Sequence, residues 1–146
     1  MTIHPVQVME AFATYLGNSP LCTYSPNGNY PANPSKVAIY HGTFPGTSPD
    51  RAVTINLYNT DPDLFTVAAN PLMYVQLRWR GTKDPRTVQN MAFEGFKLLH
   101  SLTPGPWPGG VAPLSVLRTI DGPSDPDSNG RWTKPDSYAI RLNPGE

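Results

Sequence analysis

Alternating apolar and polar residues predict two strands near the middle of the chain. In AVTINLY (52–58) the apolar residues come at every second position, and LMYVQLRWR (72–80) repeats this pattern over nine residues. A period of two places one set of side chains on a buried face and the other set on the opposite face. The side chains predicted to face a core are Val53, Ile55, Leu57, Met73, Val75, Leu77 and Trp79. Shorter apolar segments at 37–40, 114–120 and 137–142 predict three further strands.

Apolar residues at helical spacing predict two helices. The first spans 5–16, where Pro5 suits the first turn and Gly17 suits the position after the last turn. The second follows GTKDP, where Asp84 is a favourable N-cap and Pro85 a favourable first residue. The apolar stripes are Val8, Phe12, Tyr15 and Leu16 in the first helix, and Val88, Met91, Ala92, Phe96 and Leu99 in the second.

The order of these elements, α-β-β-β-α-β-β, predicts an α+β fold. We expect a mostly antiparallel sheet of about five strands with both helices packed on one face. A chain of 146 residues can bury a substantial core, so we expect one domain over 1–146. The 18 prolines and 12 glycines cluster between the periodic segments. They predict long loops near 17–36, 41–51, 103–113 and 121–136.

Composition argues against several classes of function. Eleven basic and eleven acidic residues balance, so no overall field attracts the chain to nucleic acid or an anionic membrane. The single Cys22 cannot form an internal disulfide, and no leader or long apolar run is present, so we expect a soluble, non-secreted chain. The histidines (His4, His41 and His100) do not occur at metal-ligand spacing, and no catalytic motif appears. We therefore expect a non-enzyme without a cofactor.

The stretch DPDSNGRWTKPD, from Asp125 to Asp136, has the letters of a calcium-binding loop. Its candidate ligands are Asp125, Asp127, Asn129 and Asp136, with Gly130 in sixth place. Helices should flank such a loop, whereas prolines stand before it and near its end. Asn129-Gly130 is a signal for a tight turn between strands, from which Arg131 could hold the nearby carboxylates. We favour a loop between the last two strands, and a weak calcium site is the alternative.

Two groups of residues are candidates for contacts with other molecules. The first lies on the polar side of 72–80 and just beyond it: Gln76, Arg78, Arg80, Lys83 and Arg86. Arginine binds carboxylates and phosphates, so this group predicts a subunit interface or a channel lining, with an ordinary solvated face as the alternative. The second group consists of loop residues, namely Tyr30, Phe44, Trp107 and Arg131. Their aromatic members either anchor a contact or fold back onto the core.

Several segments, in this order, resemble the tail terminator or minor capsid proteins of long-tailed bacteriophages. They are VQLRWRGTKDP (75–85), LLH (98–100), DGP (121–123), DSNGR (127–131) and SYAIRL (137–142). With the opening helix and the strands before Val75, the resemblance extends from the first helix to the last strand.

The resemblance implies a structural virion protein, assembled in the host cytoplasm and located at the head–tail junction. Such proteins form a homohexameric ring that caps the tail tube and stops its polymerisation. The partners implied are further copies of the chain, the tail tube protein, a head-completion or connector protein, and genomic DNA passing through the channel without sequence-specific binding; no membrane is implied. The alternatives are a head-completion or neck connector protein of the same virion and, in a different class, a calcium- or nucleic-acid-binding module.

Overall fold

Two helices lie on one face of a seven-stranded sheet in the computed structural model, which describes residues 4–61 and 72–142. The α+β class is therefore confirmed, while the sheet has more strands than the five expected. The elements are α1 Pro5–Gly17, β1 Cys22–Thr23, β2 Val37–His41, β3 Ala52–Asp61, β4 Leu72–Arg80, α2 Pro85–Leu99, β5 Pro113–Asp121, β6 Asp125–Pro126 and β7 Trp132–Leu142. A short 3-10 turn spans Pro108–Gly110.

The sheet is antiparallel over most of its width and parallel at one end. Its order is β1-β2-β3-β4-β7-β5, with β6 also paired to β7. The pairs β1–β2 and β2–β3 are parallel, which the expectation of a mostly antiparallel sheet did not include. Consecutive parallel strands need a crossover connection, usually a helix. Here the segments 24–36 and 42–51 make these crossovers without any helix.

The last strand begins earlier than predicted. β7 spans Trp132–Leu142, and β6 pairs with its first two residues, so most of 121–136 is a hairpin and not a long loop. Pro135 and the charged residues beside it obscured the strand pattern. Gly122 lies directly against Pro135, where any side chain would collide with the Pro135 carbonyl group. This close approach lets the chain that leaves β5 lie directly against β7.

The predicted apolar stripes form the core between the helices and the sheet. Met73, Val75, Leu77 and Trp79 are all buried, as are most apolar positions of both helices. Phe96 is an exception, because it is half-buried. The side chain of Asp84 accepts a hydrogen bond from the backbone N–H of Arg86, so the predicted N-cap is confirmed.

Gly17 has a different role from the one predicted. It is the last residue of α1, and Asn18 follows in a right-handed conformation, so no left-handed cap is formed here. A Cβ at Gly17 would lie 2.5 Å from the Cβ of Tyr24. Glycine is therefore required by the close approach of Tyr24 to the end of the helix.

A glycine also sets the distance between α2 and the centre of the sheet. Gly95 is buried directly over Trp79 of β4, and a Cβ there would lie 2.8 Å from the ring atom Cη2 and closer still to Cζ2. Trp79 is completely buried, so its ring has little room to move. The helix can lie this close to the tryptophan because residue 95 has no side chain.

We predict that Gly95→Ala lowers the free energy of unfolding by about 1–3 kcal/mol, because overpacking outweighs the better helix propensity of alanine. Urea denaturation measures the change. Gly46→Ala is the matched control, since a Cβ there would meet nothing within 4 Å, and its effect should stay within about 0.5 kcal/mol. A more stable Gly95→Ala protein would contradict the packing argument.

Candidate interaction surface on the outer sheet face

The sheet face opposite the helices carries the polar side chains of β4. Tyr74, Gln76, Arg78 and Arg80 alternate with the buried core residues of that strand. This face is the outer face of the sheet. Its two halves have very different surroundings.

One half of the outer face is covered by the two crossover segments. Ala38, Tyr40 and Ala52 are buried there beneath Tyr30 and Phe44. The ring of Tyr30 meets Tyr40 edge-on at 5.1 Å, and its hydroxyl donates a hydrogen bond to the carbonyl of Ile39. Of the two alternatives left open for Tyr30 and Phe44, the structure shows the second, because both fold back onto their own sheet.

Arg80 fastens one of these crossovers to the sheet. Its Nε donates to the carbonyl of Asp50 at 3.0 Å, and its Nη2 donates to the Ser48 hydroxyl at 2.6 Å and the Pro49 carbonyl at 2.5 Å. The guanidinium lies 4.2 Å from the centre of the Phe44 ring. Burial lowers the pKa of Arg80, which is only 3% exposed. Arg80 was predicted to lie on a contact surface, and the structure instead shows an internal clamp.

The other half of the outer face is open. We define the open face as Tyr58, Tyr74, Gln76, Arg78, Leu117 and Ile120. Tyr58 and Ile120 are 53% and 55% exposed, and the rings of Tyr58 and Tyr74 are 6.0 Å apart. The other members are half-buried.

The strand register gives the open face its shape. Tyr74 is opposite Ala139 in β7, which is opposite Leu117 in β5. Gln76, Ser137 and Ile120 form the next row in the same way. In these two rows the small side chains of Ser137 and Ala139 lie between larger ones on both neighbouring strands, and the exposed Arg141 of β7 belongs to the row beyond Ala139. Tyrosine and arginine are enriched at protein interfaces, so this composition is typical of a protein-binding surface.

The predicted cationic surface is not continuous. Gln76 and Arg78 lie on the open face, whereas Lys83 and Arg86 lie beyond the end of β4, around the start of α2. Both side chains are exposed, but Arg86 is paired with Asp84 through an Nη2–Oδ2 contact of 2.9 Å. The side-chain hydrogen bond from Arg86 holds the pKa of Asp84 below its usual value. With Arg80 buried, one arginine of the predicted group remains on the open face.

Trp107 is also a core residue and not an exposed anchor. It is 3% exposed, its ring meets Phe12 edge-on at 5.3 Å, and it stacks on Tyr15 at 5.6 Å. Its backbone N–H donates to the carbonyl of Val111, which closes the proline-rich loop. The loop therefore lies against α1, and of the two alternatives left open for Trp107 the structure shows packing onto the core.

The four candidate calcium ligands do not converge. Asp127 accepts hydrogen bonds from the backbone N–H groups of Asn129 and Arg131, each 2.9 Å long. Gly130 has a φ of 80°, which fits a three-residue hairpin loop that ends in a left-handed glycine. Asp125 is exposed on β6, whereas Asp136 is completely buried on β7. Within 4–61 and 72–142, no group of three or more His, Cys, Asp or Glu side chains is placed to hold a metal ion.

Arg131 pairs with only one of the carboxylates proposed for it. Its Nε lies 3.2 Å from Oδ2 of Asp127, and its Nη1 lies 3.4 Å from Oδ1 of Asp50. Desolvation alone would raise the pKa of Asp127, but the hydrogen bonds from Arg131 and Asn129 and the charge of Arg131 hold it below its usual value. Arg131 therefore links the β6–β7 turn to the end of the crossover that Arg80 holds.

Sequence reasoning missed a charged cluster beneath α2. Lys134, 3% exposed, donates from Nζ to the Gly122 carbonyl at 2.6 Å, to Asp136 Oδ1 at 2.9 Å and to Asp121. Arg118 lies 3.5 Å from Asp121 and 3.7 Å from Asp136. Burial raises the pKa of Asp136, although Lys134 and Arg118 act in the opposite direction. The signal in the sequence was the alternation of Lys134 and Asp136 in phase with the buried residues that follow.

Comparison with known proteins gives no identification. No protein-family model matches the chain, and no significant match to a curated protein was found. Over the part of the chain that the structure describes, no helix is both long and apolar enough to cross a membrane. The function must therefore be inferred from the surface itself and from the order of the sequence motifs.

We predict that Arg80→Ala lowers the free energy of unfolding by about 2–4 kcal/mol, because it removes charge-assisted hydrogen bonds to three consecutive residues. It should also expose the crossover, so trypsin should cut after Arg51 faster than in the wild-type protein. Arg78→Ala, on the same strand and face, is the control and should change stability by no more than about 0.5 kcal/mol. Equal effects of the two variants would contradict the clamp.

We predict that Asp127→Ala lowers the free energy of unfolding by about 1–2 kcal/mol near neutral pH, because two backbone donors lose their acceptor. The folded pKa of Asp127 is depressed. Its ionised form therefore contributes stability above the unfolded pKa of about 3.9, and this contribution is lost as the pH falls through the folded value. Urea titrations should show that the difference in free energy of unfolding between the wild-type protein and Asp127→Ala becomes smaller in acid. A difference that does not change with pH would exclude a role for the charge of Asp127.

Proposed function

We propose that this protein is a structural virion protein, a tail terminator that caps the tail tube as a ring of identical subunits. The observation that carries the proposal is the open face, where two tyrosines, an arginine, a glutamine and two aliphatic side chains lie together on a rigid sheet. The order of motifs that resembles tail terminator proteins supports the same conclusion. A head-completion or neck connector protein of the same virion is the alternative.

The composition of the open face favours a subunit interface over a channel lining. Tyr58 and Ile120 are more than half exposed. Removing such apolar surface from water is favourable, so covering these side chains with a partner protein would stabilise the complex. A channel that lets DNA pass requires no such apolar side chains. Arg78, flanked by these residues, suits a pairing with a carboxylate of the neighbouring subunit.

A closed ring requires two different patches on each subunit, because each contact is head-to-tail. The open face supplies one patch. The second patch would lie on the outward side of α2, where Phe93 is 55% exposed and adjoins the exposed Glu94. Phe93 would pack over the small side chains of Ser137 and Ala139, and Glu94 would approach Arg78. Six such contacts would close the ring and leave its two ends for the tube protein and the connector.

The ring predicts how the other partners would bind. To bind the tube, one end of the ring must resemble a further tube subunit. The other end must not bind a tube subunit, so that the tube stops growing. Genomic DNA would pass without sequence-specific binding, in keeping with the balanced charge of the chain. Assembly would take place in the host cytoplasm and would place the protein at the head–tail interface of the virion.

We predict that the protein forms rings at high concentration or on tube ends, with more than about 1,000 Å² buried at each contact. Electron microscopy and light scattering would detect the rings, and added protein should shorten tubes grown from purified tube protein. Arg78→Glu should reduce both activities at least tenfold, because it would place two carboxylates together at the contact.

Lys83→Glu is the matched control, since it makes the same charge change at an exposed residue outside the open face. Binding to purified tails that lack heads separates the proposed function from its alternative, because a neck connector would bind the portal side instead. A wild-type protein that neither forms rings nor binds tube ends would overturn the proposal.

A further inference from the structure

Lys134 is a buried lysine held between two carboxyl groups. Its Nζ contacts Oδ1 of Asp121, at the end of β5, and lies 2.9 Å from Oδ1 of Asp136, on its own strand. The side chain of Lys134 is 4% exposed and that of Asp136 is completely buried. The amine and the carboxyl group of Asp136 are thereby held in contact in the interior, and the carboxyl group of Asp121 reaches the same amine from the surface.

Asp136 has an oxygen that the surrounding hydrogen bonds do not use. Its Oδ1 accepts from Lys134 and from the backbone N–H of Gly122. Its buried Oδ2 has no hydrogen-bond partner among the described residues, and Nη1 of Arg118 lies 3.7 Å from it. Burial raises the pKa of this carboxyl, so it holds a proton more readily than an exposed aspartate does. Asp136 is therefore suited to pass a proton between the amine and the second carboxyl group.

The rest of the cluster orients Asp121 towards the amine. Arg118 Nη2 lies 3.5 Å from Oδ2 of Asp121, the oxygen that Lys134 does not contact. Trp79 is opposite Lys134 in the strand register and is completely buried. The side chain of Asp121 is 60% exposed, which gives a leaving water molecule a path to solvent.

We propose that Lys134 and Asp121 join in an intramolecular isopeptide bond, with Asp136 as the group that transfers the proton. The reacting atoms belong to neighbouring strands that the sheet already holds in register. Fixing two reactants in contact removes most of the entropic cost of a bimolecular reaction, and it can favour condensation even in water.

The reaction is a condensation that needs no oxidant and no cofactor. Asp136 takes a proton from Lys134 Nζ, and the neutral amine attacks Cγ of Asp121. The N–Cγ bond forms, and the charge that develops on the carboxyl oxygens is stabilised by Arg118. Asp136 passes this proton to one carboxyl oxygen of Asp121, takes a second proton from the attacking nitrogen and delivers it to the same oxygen. The C–O bond then breaks, and one water molecule leaves with these two protons from the original ammonium group. The products are a neutral amide and an unchanged Asp136.

The bond would link the end of β5 to β7 and would close a loop that contains β6 and the β6–β7 turn. Both strands contribute to the open face, through Leu117 and Ile120 on β5 and through the small residues on β7. A covalent link would keep this part of the sheet in register whether or not the subunit is assembled. The inference concerns this chain alone and does not depend on the proposed ring.

Mass spectrometry of the intact folded protein tests the proposal directly. The wild-type mass should be lower than the sequence mass by one water molecule. Trypsin should then release a branched peptide that joins 119–131 to 132–141, with the link at Asp121 and Lys134 on fragmentation. Full sequence mass after prolonged incubation of the folded protein, or a link at other residues, would overturn the proposal.

A succinimide at Asp121-Gly122 would cause the same loss of water, so the design must distinguish the two products. Hydroxylamine opens a succinimide but leaves an isopeptide bond intact. Lys134→Arg should restore the full mass expected for its sequence, whereas Lys83→Arg, the same exchange at an exposed lysine, should keep the loss. A loss that persists in Lys134→Arg would reject the cross-link. Asp136→Asn should reduce the cross-linked fraction at least tenfold, and an unchanged fraction would exclude Asp136 as the proton carrier.

Discussion

The guanidinium of Arg80 decides how the outer face of the sheet is divided. The parallel arrangement of β2 and β3 requires the chain to cross the sheet, and it does so here without a helix. A crossover without regular structure needs other partners for its backbone, and Arg80 supplies donors to three consecutive residues from Ser48 to Asp50. Burying a charge is costly unless the group is hydrogen-bonded or paired, and three hydrogen bonds from Nε and Nη2 offset part of this cost for Arg80. One half of the outer face is covered as a result, and the other half stays open.

The inward faces of the helices and central strands could be predicted because they depend on local periodicity alone. Arg78 and Arg80 show where such reasoning ends. They share one strand, one face and one residue type, yet one lies on the open face and the other is 3% exposed. The difference comes from residues 48–50, about thirty positions earlier in the chain. Periodicity assigns a side chain to a face of the sheet, but it carries no information about what covers that face.

The first residues of β7 were not predicted to be part of a strand for a different reason. Lys134 and Asp136 occupy positions in phase with Tyr138, Ile140 and Leu142, so the period of two continues back towards Trp132. Their charges and the intervening Pro135 suggested a solvated loop, and the carboxylates suggested a metal site. The buried cluster resolves this contradiction, since the charges neutralise one another beneath α2. A charged residue in phase with a stripe of core residues can therefore belong to the same strand. This requires a residue of opposite charge close to it on the neighbouring strand.

The two buried cations lie at one end of the sheet. Lys134 is opposite Trp79 in the register, one position from Arg80, and the two cations lie on opposite faces. Arg80 fastens a crossover to the outer face, while Lys134 joins β5 to β7 on the inner face. The open face extends away from this end along β4, β7 and β5, and most of its members lie on strands whose pairing is fixed on both sides. A surface held in this way loses little conformational entropy when a partner binds. The energy spent on burying two charges is therefore compatible with a protein whose function is to present a preorganised surface to another subunit.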